Sequence, residues 1–245
     1  MRRCVEAGAE SLEGMQRLVQ EVWSRRVVLA GHHAGSLAWS RLQHVGREPE
    51  WPTRLWEEDG RVLAWGWVQL PSILDLLVHP DRPDLFDPVL DWFETQAQGD
   101  EPFSTPLADD AQATDALEAR GFVAFPDAPW FAHATRRLDH LPEPAVPPDY
   151  VLRLVEPRDL ERRVAVQDCV VEAPDGSFAS YALAWLDDAN RVGELEPVGT
   201  DQRHARLGLA RAVCLYALRQ LRAAGAETAL VIPRGDEAHP APNCL

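Results

Sequence analysis

Residues Thr200–Val213, TDQRHARLGLARAV, follow directly on the strand-like run Val192–Gly199, VGELEPVG. In this pattern a strand ends, a short basic loop follows and a helix begins. The first turn of a helix leaves backbone N–H groups without internal partners and carries partial positive charge. Gly208 removes a side chain where a ligand needs close approach. The stretch therefore predicts a site for a pyrophosphate or a similar anion.

Three arginine side chains reinforce this interpretation, because the rest of the chain is acidic. Arg203, Arg206 and Arg211 lie within the stretch. The stretch is neither a G-x-G-x-x-G dinucleotide fingerprint nor a Walker loop. The structural alternative is a helix start with a solvated arginine face, and the loop alone leaves both interpretations open.

Composition limits the classes of function. The 245 residues carry a formal net charge of −15 and are 46 % hydrophobic. That length suits two domains, and the acidity argues against nucleic acid as a partner. No apolar run approaches the roughly 20 residues that cross a bilayer, so we expect no membrane segment. All 24 basic residues are arginines, which excludes catalysis by a Walker or Schiff-base lysine.

The cysteines and histidines favour no metal site. Cys4, Cys169, Cys214 and Cys244 are scattered without metal spacing, which is typical of reduced thiols in a cytoplasmic protein. The amino-terminal MRRCVEAGAE lacks the apolar core of a signal peptide. The adjacent pair His32-His33 suits a loop better than one metal ion, because neighbouring rings in an extended segment point apart.

Two matched turns indicate an internal duplication. Asp59-Gly60 and Asp175-Gly176 each lie between two strand-like runs, a strong hairpin signal. Each hairpin is followed by a third strand and a helix, so the chain reads as two copies of one α/β (α+β) unit. Residues 140–149 lie within the segment DHLPEPAVPPDY and contain four prolines. Proline at this density predicts a stiff linker between the two copies.

The remaining elements follow from hydrophobic periodicity, proline and glycine. Predicted helices cover Leu12–Trp23, Pro83–Phe93, Ala111–Arg120 and Leu207–Ala223, with Gly121 and Gly225 as stops. Predicted strands cover Ile73–Val78, Trp130–Leu138, Tyr150–Val155, the run through Gly199 and the segment ETALVIP.

The segment Gly193–Ala210, GELEPVGTDQRHARLGLA, resembles the central strand and coenzyme A loop of the GNAT N-acetyltransferases, and the double unit resembles their tandem, mycothiol-synthase-like branch. The family loop reads Arg or Gln, two residues, Gly, one residue, then Gly or Ala. Gly208 and Ala210 fit that motif, while Ala205 replaces the usual Arg or Gln. The resemblance implies two tandem GNAT-like units, each a mixed, mostly antiparallel sheet flanked by helices. The expected bounds are 1–139 for a degenerate first domain, 140–149 for the linker and 150–245 for the acetyl-CoA-binding domain.

The resemblance further implies an N-acetyltransferase that moves an acetyl group from acetyl-CoA to an amine of a small-molecule acceptor, with no metal. Pantetheine is expected beside the backbone of Pro197, Val198 and Gly199. The pyrophosphate is expected at the loop and the start of the helix, that is at Arg203, Arg206, Leu207, Gly208, Leu209, Ala210 and Arg211.

Two carboxylates are candidates for the base that deprotonates the amine. Glu194 and Glu196 flank Leu195 on one strand, so alternation directs both to the same face. Glu194 matches the base position of the family. Exposed strand-face carboxylates are the structural alternative. An acyl-CoA-binding or regulatory module without turnover, and a plain interaction protein, are the alternatives in function.

Three expectations concern the limits of the resemblance. The loop His79–Leu90, HPDRPDLFDPVL, has no glycine, three prolines without N–H donors and three aspartates, so we expect one coenzyme per chain, in the second half. The family carries a further helical segment where Gln167 here meets Asp168 directly. Either the gene lacks this segment or the segment is missing from these 245 residues, and we expect the second. It also continues beyond HPAPNCL with a tyrosine-bearing helix and two strands, so the 245 residues alone are expected to turn over poorly.

Overall fold

The computed structural model describes residues 3–6, 9–25, 31–42, 46, 50–99, 101–125, 130–156 and 169–233. The chain divides into two compact units, Met1–Pro126 and Asp127–Leu245. Each unit contains one mixed, mostly antiparallel sheet; among the described residues, four helices accompany the first sheet and one helix accompanies the second. The α/β architecture and its duplication therefore agree with the sequence prediction. The junction of Gln167 with Asp168, and residues 234–245, lie outside the described residues.

The first unit contains a five-stranded sheet of order β1-β2-β3-β4-β5. Neighbouring strands are antiparallel except β4 and β5, which are parallel. Its strands are β1 (Arg3–Glu6), β2 (Thr53–Glu58), β3 (Arg61–Gln69), β4 (Ile73–Val78) and β5 (Phe103–Ser104). Its helices are α1 (Ala9–Arg25), α2 (Ala34–Leu42), α3 (Phe86–Gln96) and α4 (Ala111–Ala119).

The predicted hairpin of the first unit is confirmed. Asp59 and Gly60 connect β2 to β3 with φ values of 52° and 77°, a backbone that two-residue hairpin turns require. The helix predicted from Pro83 differs in its first turn. Pro83–Leu85 forms a 3-10 turn, and α3 begins only at Phe86. The elements β1, α2 and β5 were not predicted from the sequence.

The two faces of this first sheet have different coverings. A Cβ placed on Gly66 of β3 would lie 2.7 Å from the Trp92 ring of α3, so Gly66 faces α3. Alternation then directs Trp65 and Trp67 to the opposite face, where both are fully buried. On that face Leu55 approaches Gly14 of α1.

The second unit contains a six-stranded sheet of order β6-β11-β10-β9-β8-β7. Among the described strands of this sheet, only β10 and β11 pair in parallel. Its strands are β6 (Ala134–Arg137), β7 (Val151–Leu154), β8 (Cys169–Glu172), β9 (Phe178–Asp187), β10 (Val192–Thr200) and β11 (Thr228–Val231). Its helix α5 (Leu209–Ala223) follows β10.

The boundary between the units differs from the expected position at residue 139. It lies after Pro126, because β6 pairs antiparallel with β11 and so belongs to the second sheet. The proline-rich segment also belongs to the second unit, since Leu141 and Val146 pack against its core. The strand predicted over Trp130–Leu138 is shortened to β6, Ala134–Arg137.

The core of the second unit lies between α5 and one face of the sheet. A Cβ on Gly193 would lie 2.5 Å from Leu221 of α5, and Leu195 packs into the same cluster. Gly193 and Leu195 therefore face α5. Glu194, between them, faces the opposite side of the sheet.

No helix among the described residues combines the length and apolar character needed to cross a membrane.

Candidate active site

A β-bulge interrupts the pairing of β10 with β9. Leu195 pairs with Ala184 and Val198 pairs with Ala182, so Glu196 and Pro197 together lie opposite one residue of β9. A bulge of this kind leaves an extra residue out of the ladder and bends the strand. The backbone of this segment therefore has polar groups that are not paired with β9.

Trp185 holds this bulge from the neighbouring strand. Its indole Nε1 donates a hydrogen bond of 2.8 Å to the carbonyl oxygen of Glu196. Trp185 is also the cross-strand partner of Glu194. One side chain of β9 therefore contacts the bulge and neighbours the candidate base.

Glu194 and Glu196 lie in different environments. Glu194 is fully buried, on the face opposite α5. Glu196 lies within the bulge and is partly buried. Burial raises the pKa of the Glu196 carboxyl above its usual value. Loss of solvation is the physical cause, because burial penalises the charged form.

The loop between β10 and α5 begins with a capped 3-10 turn, Gln202–His204. Asp201 Oδ1 accepts a hydrogen bond of 2.8 Å from the backbone N–H of Arg203. The Arg203 guanidinium folds back on the same carboxylate at 2.8 Å. These contacts lower the pKa of Asp201 to about 2. Arg203 is therefore already paired within the loop.

His204 fixes the loop to the start of β7. The Tyr150 hydroxyl lies 2.8 Å from His204 Nδ1, and the two rings meet edge to face. Tyr150 itself packs against the core of the second unit. Asp201 therefore holds the start of the turn that precedes α5, and His204 holds its end.

The amino end of α5 is open and basic. Its cap residue, Gly208, has φ of 77° and provides no side-chain cap, and a Cβ there would meet no atom within 4 Å. Among the described residues, no backbone carbonyl accepts from the N–H groups of Arg206–Arg211. Arg206 and Arg211 are exposed and form no ion pair within the described part of the chain. Geometry, N–H groups and charge here all suit an anion.

The remaining predicted coenzyme residues line the end of β10 and the start of α5. Pro197, Gly199 and Ala210 are partly exposed, and Val198 and Leu207 are 38 % and 45 % exposed. Leu209 is buried in the core, so only its backbone can face a ligand. Gly199 lies under Tyr181, whose ring atoms are 2.6 Å from the position of a Cβ. Leu209 is therefore the one predicted coenzyme residue whose side chain points away from solvent.

The corresponding loop of the first unit is closed by ion pairs. His79 Nδ1 accepts from the backbone N–H of Asp81, and its Nε2 lies 3.2 Å from Glu21 Oε1. Arg82 pairs with Glu58 and, at 2.8 Å, with Asp84. Because this loop contains carboxylates and prolines, it lacks the free N–H groups and the unpaired arginines that the amino end of α5 presents to an anion.

Histidines His32 and His33 have separate partners, as expected for neighbours. His32 Nε2 lies 2.8 Å from Asp75 Oδ1, whereas His33 Nδ1 accepts from the backbone N–H of Gly35. The described residues contain no group of three or more His, Cys, Asp or Glu side chains placed to hold a metal ion.

Comparison with known proteins agrees with this geometry. The model of the acetyltransferase (GNAT) family matches residues 133–241, which contain the bulge, the loop and α5. Residues 133–241 thus carry a segment similar to the GNAT acetyltransferase domain. A comparison with curated proteins gave no match.

Solved GNAT structures share the fold of the whole chain. A tandem GNAT protein from the clavulanic acid biosynthesis pathway superposes with a TM-score of 0.59 at 17 % identity, covering 98 % of this chain and 92 % of that one. A GCN5-related N-acetyltransferase from Sphaerobacter thermophilus gives 0.57 at 14 % identity, covering 99 % and 90 %. A GNAT-family acetyltransferase from Colwellia psychrerythraea gives 0.57 at 9 % identity, covering 96 % and 91 %. At such identities the likeness shows the fold, which is that of tandem GNAT proteins.

Sequence reasoning missed four side chains that shape this candidate site. Trp185 and Tyr181 lie on β9, and Tyr150 and His204 join the start of β7 to the loop before α5. The alternation of Tyr181, Leu183 and Trp185 on one strand was the available signal for the first pair. No local signal exists for the second pair, because its members lie 54 positions apart in the chain.

Proposed function

We propose that the second unit transfers the acetyl group of acetyl-CoA to an amine of a small-molecule acceptor. The observation that supports this most strongly is the open amino end of α5, which follows directly on the bulged end of β10. An anion-binding helix end beside unpaired strand backbone suits a ligand with a phosphate group at one end and amide groups along its length.

The pyrophosphate of the coenzyme would bind the N–H groups of Arg206–Arg211. Gly208 lets the backbone approach the phosphates, since it carries no side chain. Arg206 and Arg211 would add charge-assisted contacts. Arg203 contributes less, because Asp201 already neutralises it. Pantetheine would pair with the backbone of Pro197, Val198 and Gly199.

Glu194 is our candidate for the base. An alkyl ammonium must lose a proton before its nitrogen can attack the thioester carbonyl carbon. That proton passes to Glu194, directly or through water. The new C–N bond forms, the C–S bond breaks, and the sulfur leaves as the CoA thiolate. The nitrogen loses its second proton as the amide forms, and this proton passes to the thiolate or to water. Because the pKa of a thiol is near 8.5, its thiolate is a competent leaving group at neutral pH. Glu196 is the second candidate, and its raised pKa displaces its charged form to higher pH.

The alternative, an acyl-CoA-binding module without turnover, predicts binding alone. Isothermal titration of the chain with acetyl-CoA measures binding, and release of free CoA thiol in the presence of an amine panel measures turnover. We expect both. Binding without release above the rate of spontaneous hydrolysis would favour the non-catalytic module, and an absence of binding would contradict both functions.

The role of Glu194 is tested by Glu194→Gln, which keeps the shape of the side chain and removes the base. We expect acetyl-CoA affinity to remain and turnover to fall by roughly 10² to 10⁴. Glu227→Gln, at an exposed carboxylate paired with Arg191, serves as the matched control. A Glu194→Gln protein with full activity would remove Glu194 from its role, and the same result with an inactive Glu196→Gln would transfer that role to Glu196.

A further inference from the structure

The proline-rich segment that connects β6 to β7, residues 138–150 (the strap), is tied to α5. Near the carboxyl end of the helix, the Arg222 guanidinium donates a hydrogen bond of 3.4 Å to the carbonyl oxygen of Leu138. Arg219, three positions earlier on the helix, forms an ion pair with Glu143. The middle of the strap packs against the core of the second unit through two apolar side chains, those of Leu141 and Val146. The strap therefore has a fixed path up to its last residue.

That last residue, Tyr150, contacts the loop Asp201–Gly208, which leads into α5. The Tyr150 hydroxyl lies 2.8 Å from His204 Nδ1, and the two rings meet edge to face with centroids 5.7 Å apart. Among the described residues, His204 is the one side chain of this loop that hydrogen-bonds to a residue outside the loop, since Arg203 bonds to Asp201. The strap therefore reaches the loop through a single pair of side chains.

The part of the loop that follows His204 has little support of its own. Leu207 is exposed, and Arg206 has φ of 65°, a left-handed backbone that is uncommon for a residue with a side chain. Such a conformation costs free energy and persists only where neighbouring contacts hold it. The contact at His204 lies two residues before Arg206. It is therefore placed to maintain the course of the backbone into the first turn of α5.

We propose that Tyr150 and His204 are positioning residues for acetyl-CoA, an inference that rests on the proposed function of the second unit. Their contact holds the loop, before the coenzyme arrives, in the conformation in which the N–H groups of Arg206–Arg211 remain available to an anion. A loop that is ordered in advance loses less conformational entropy on binding. The pair therefore increases the affinity for acetyl-CoA without touching it, and neither side chain takes part in acetyl transfer.

Tyr150→Phe keeps the ring and removes only the hydroxyl group. We expect it to raise the dissociation constant for acetyl-CoA at least fivefold in isothermal titration. Tyr216→Phe is the matched control and should leave that constant unchanged. Tyr216 packs against the same core from α5, and its hydroxyl makes no hydrogen bond within the described part of the chain.

The histidine variants test the hydrogen bond itself. His204→Asn places an amide group near the position of Nδ1, so it should keep the bond and bind acetyl-CoA within twofold of the native affinity. His204→Ala removes the bond and should raise the dissociation constant at least fivefold. Tyr150→Phe combined with His204→Ala should bind no more weakly than His204→Ala alone, because both substitutions remove the same contact.

Two further measurements separate positioning from chemistry. In the assay of CoA release, Tyr150→Phe should raise the KM for acetyl-CoA several-fold and leave kcat within twofold of the native value, since the contact acts on binding alone. Hydrogen exchange of the amides of Arg206–Arg211, measured without coenzyme, should be faster in Tyr150→Phe than in Tyr216→Phe.

The outcomes distinguish this inference from the proposed function. A native chain that does not bind acetyl-CoA overturns both. Native binding with undiminished affinity in Tyr150→Phe, or equal amide exchange in Tyr150→Phe and Tyr216→Phe, overturns the positioning role and leaves the proposed function intact. An affinity as low in His204→Asn as in His204→Ala overturns that role as well, because the hydrogen bond would then not be the cause.

Discussion

The indole nitrogen of Trp185 lies 2.8 Å from the carbonyl oxygen of Glu196, so a side chain of β9 secures the bulge of β10. The bulge separates the buried Glu194 from the strand end that leads to the loop before α5. This single contact links the pairing of the central strands to the two parts of the proposed active site.

The first prediction concerns that contact. Trp185→Phe keeps an aromatic ring and removes the donor, so we expect a loss of about 1 kcal/mol of stability from the hydrogen bond and a several-fold weaker affinity for acetyl-CoA. Trp67→Phe is the matched control, because its indole N–H has no acceptor among the residues that the structure describes. Chemical denaturation and calorimetry measure the two effects. Equal affinity for acetyl-CoA in the Trp185→Phe and native proteins would show that the bulge needs no such support.

A second prediction compares the glycines at the two ends of α5. Gly208 and Gly225 have φ of 77° and 107°, and a Cβ at either would meet no atom within 4 Å. Alanine at each position costs about 1 kcal/mol through backbone strain alone. Only Gly208→Ala should also weaken acetyl-CoA binding, since only that end of the helix faces the phosphates. Comparable affinities in the two variants would place the coenzyme elsewhere.

A third prediction separates the arginines of the loop. Arg203→Ala should change the dissociation constant for acetyl-CoA little, because Asp201 already pairs with Arg203. Arg206→Ala and Arg211→Ala should each raise it several-fold and reduce its dependence on salt. Asp201→Asn keeps an oxygen for the N–H of Arg203 and releases the guanidinium, so it should lower the dissociation constant. A larger effect at Arg203 than at Arg206 and Arg211 would contradict this assignment.

The sequence predicted the local features of the site and missed the non-local ones. The hairpin at Asp59-Gly60 and the helix α5 follow from turn residues and apolar periodicity, which are local signals. The pairing of β6 with β11 depends on contacts between distant segments, and so the boundary was set at residue 139 instead of 126. The helix α2 was missed because Leu37 and Trp39 stand among small and polar residues, too few for a clear period.

The two candidate carboxylates illustrate the same limit. Strict alternation treats Glu194 and Glu196 as equivalent. The bulge after Leu195 breaks that alternation, leaving Glu194 fully buried and Glu196 only partly buried. A bulge depends on the register between two strands, and the sequence of β10 by itself does not specify it.

A fourth prediction uses the raised pKa of Glu196, which burial causes. Since its folded-state pKa lies above the unfolded value, the protein gains nothing from ionising this group. Relative to Glu196→Gln, the native protein should be most stable below the unfolded pKa of about 4.3 and should lose stability as pH rises through the folded pKa. Melting temperatures of both proteins between pH 4 and pH 8 measure the difference. A difference that does not vary with pH would show that Glu196 is solvated in the folded protein.

The central claim is that each chain binds one acetyl-CoA, at the amino end of α5 in the second unit. Isothermal titration of the native chain and of a variant carrying both Arg206→Ala and Arg211→Ala tests it most directly. The account predicts one site per chain in the native protein and an affinity reduced at least tenfold in the variant. Two sites per chain, no binding to the native protein, or undiminished binding to the variant would contradict it.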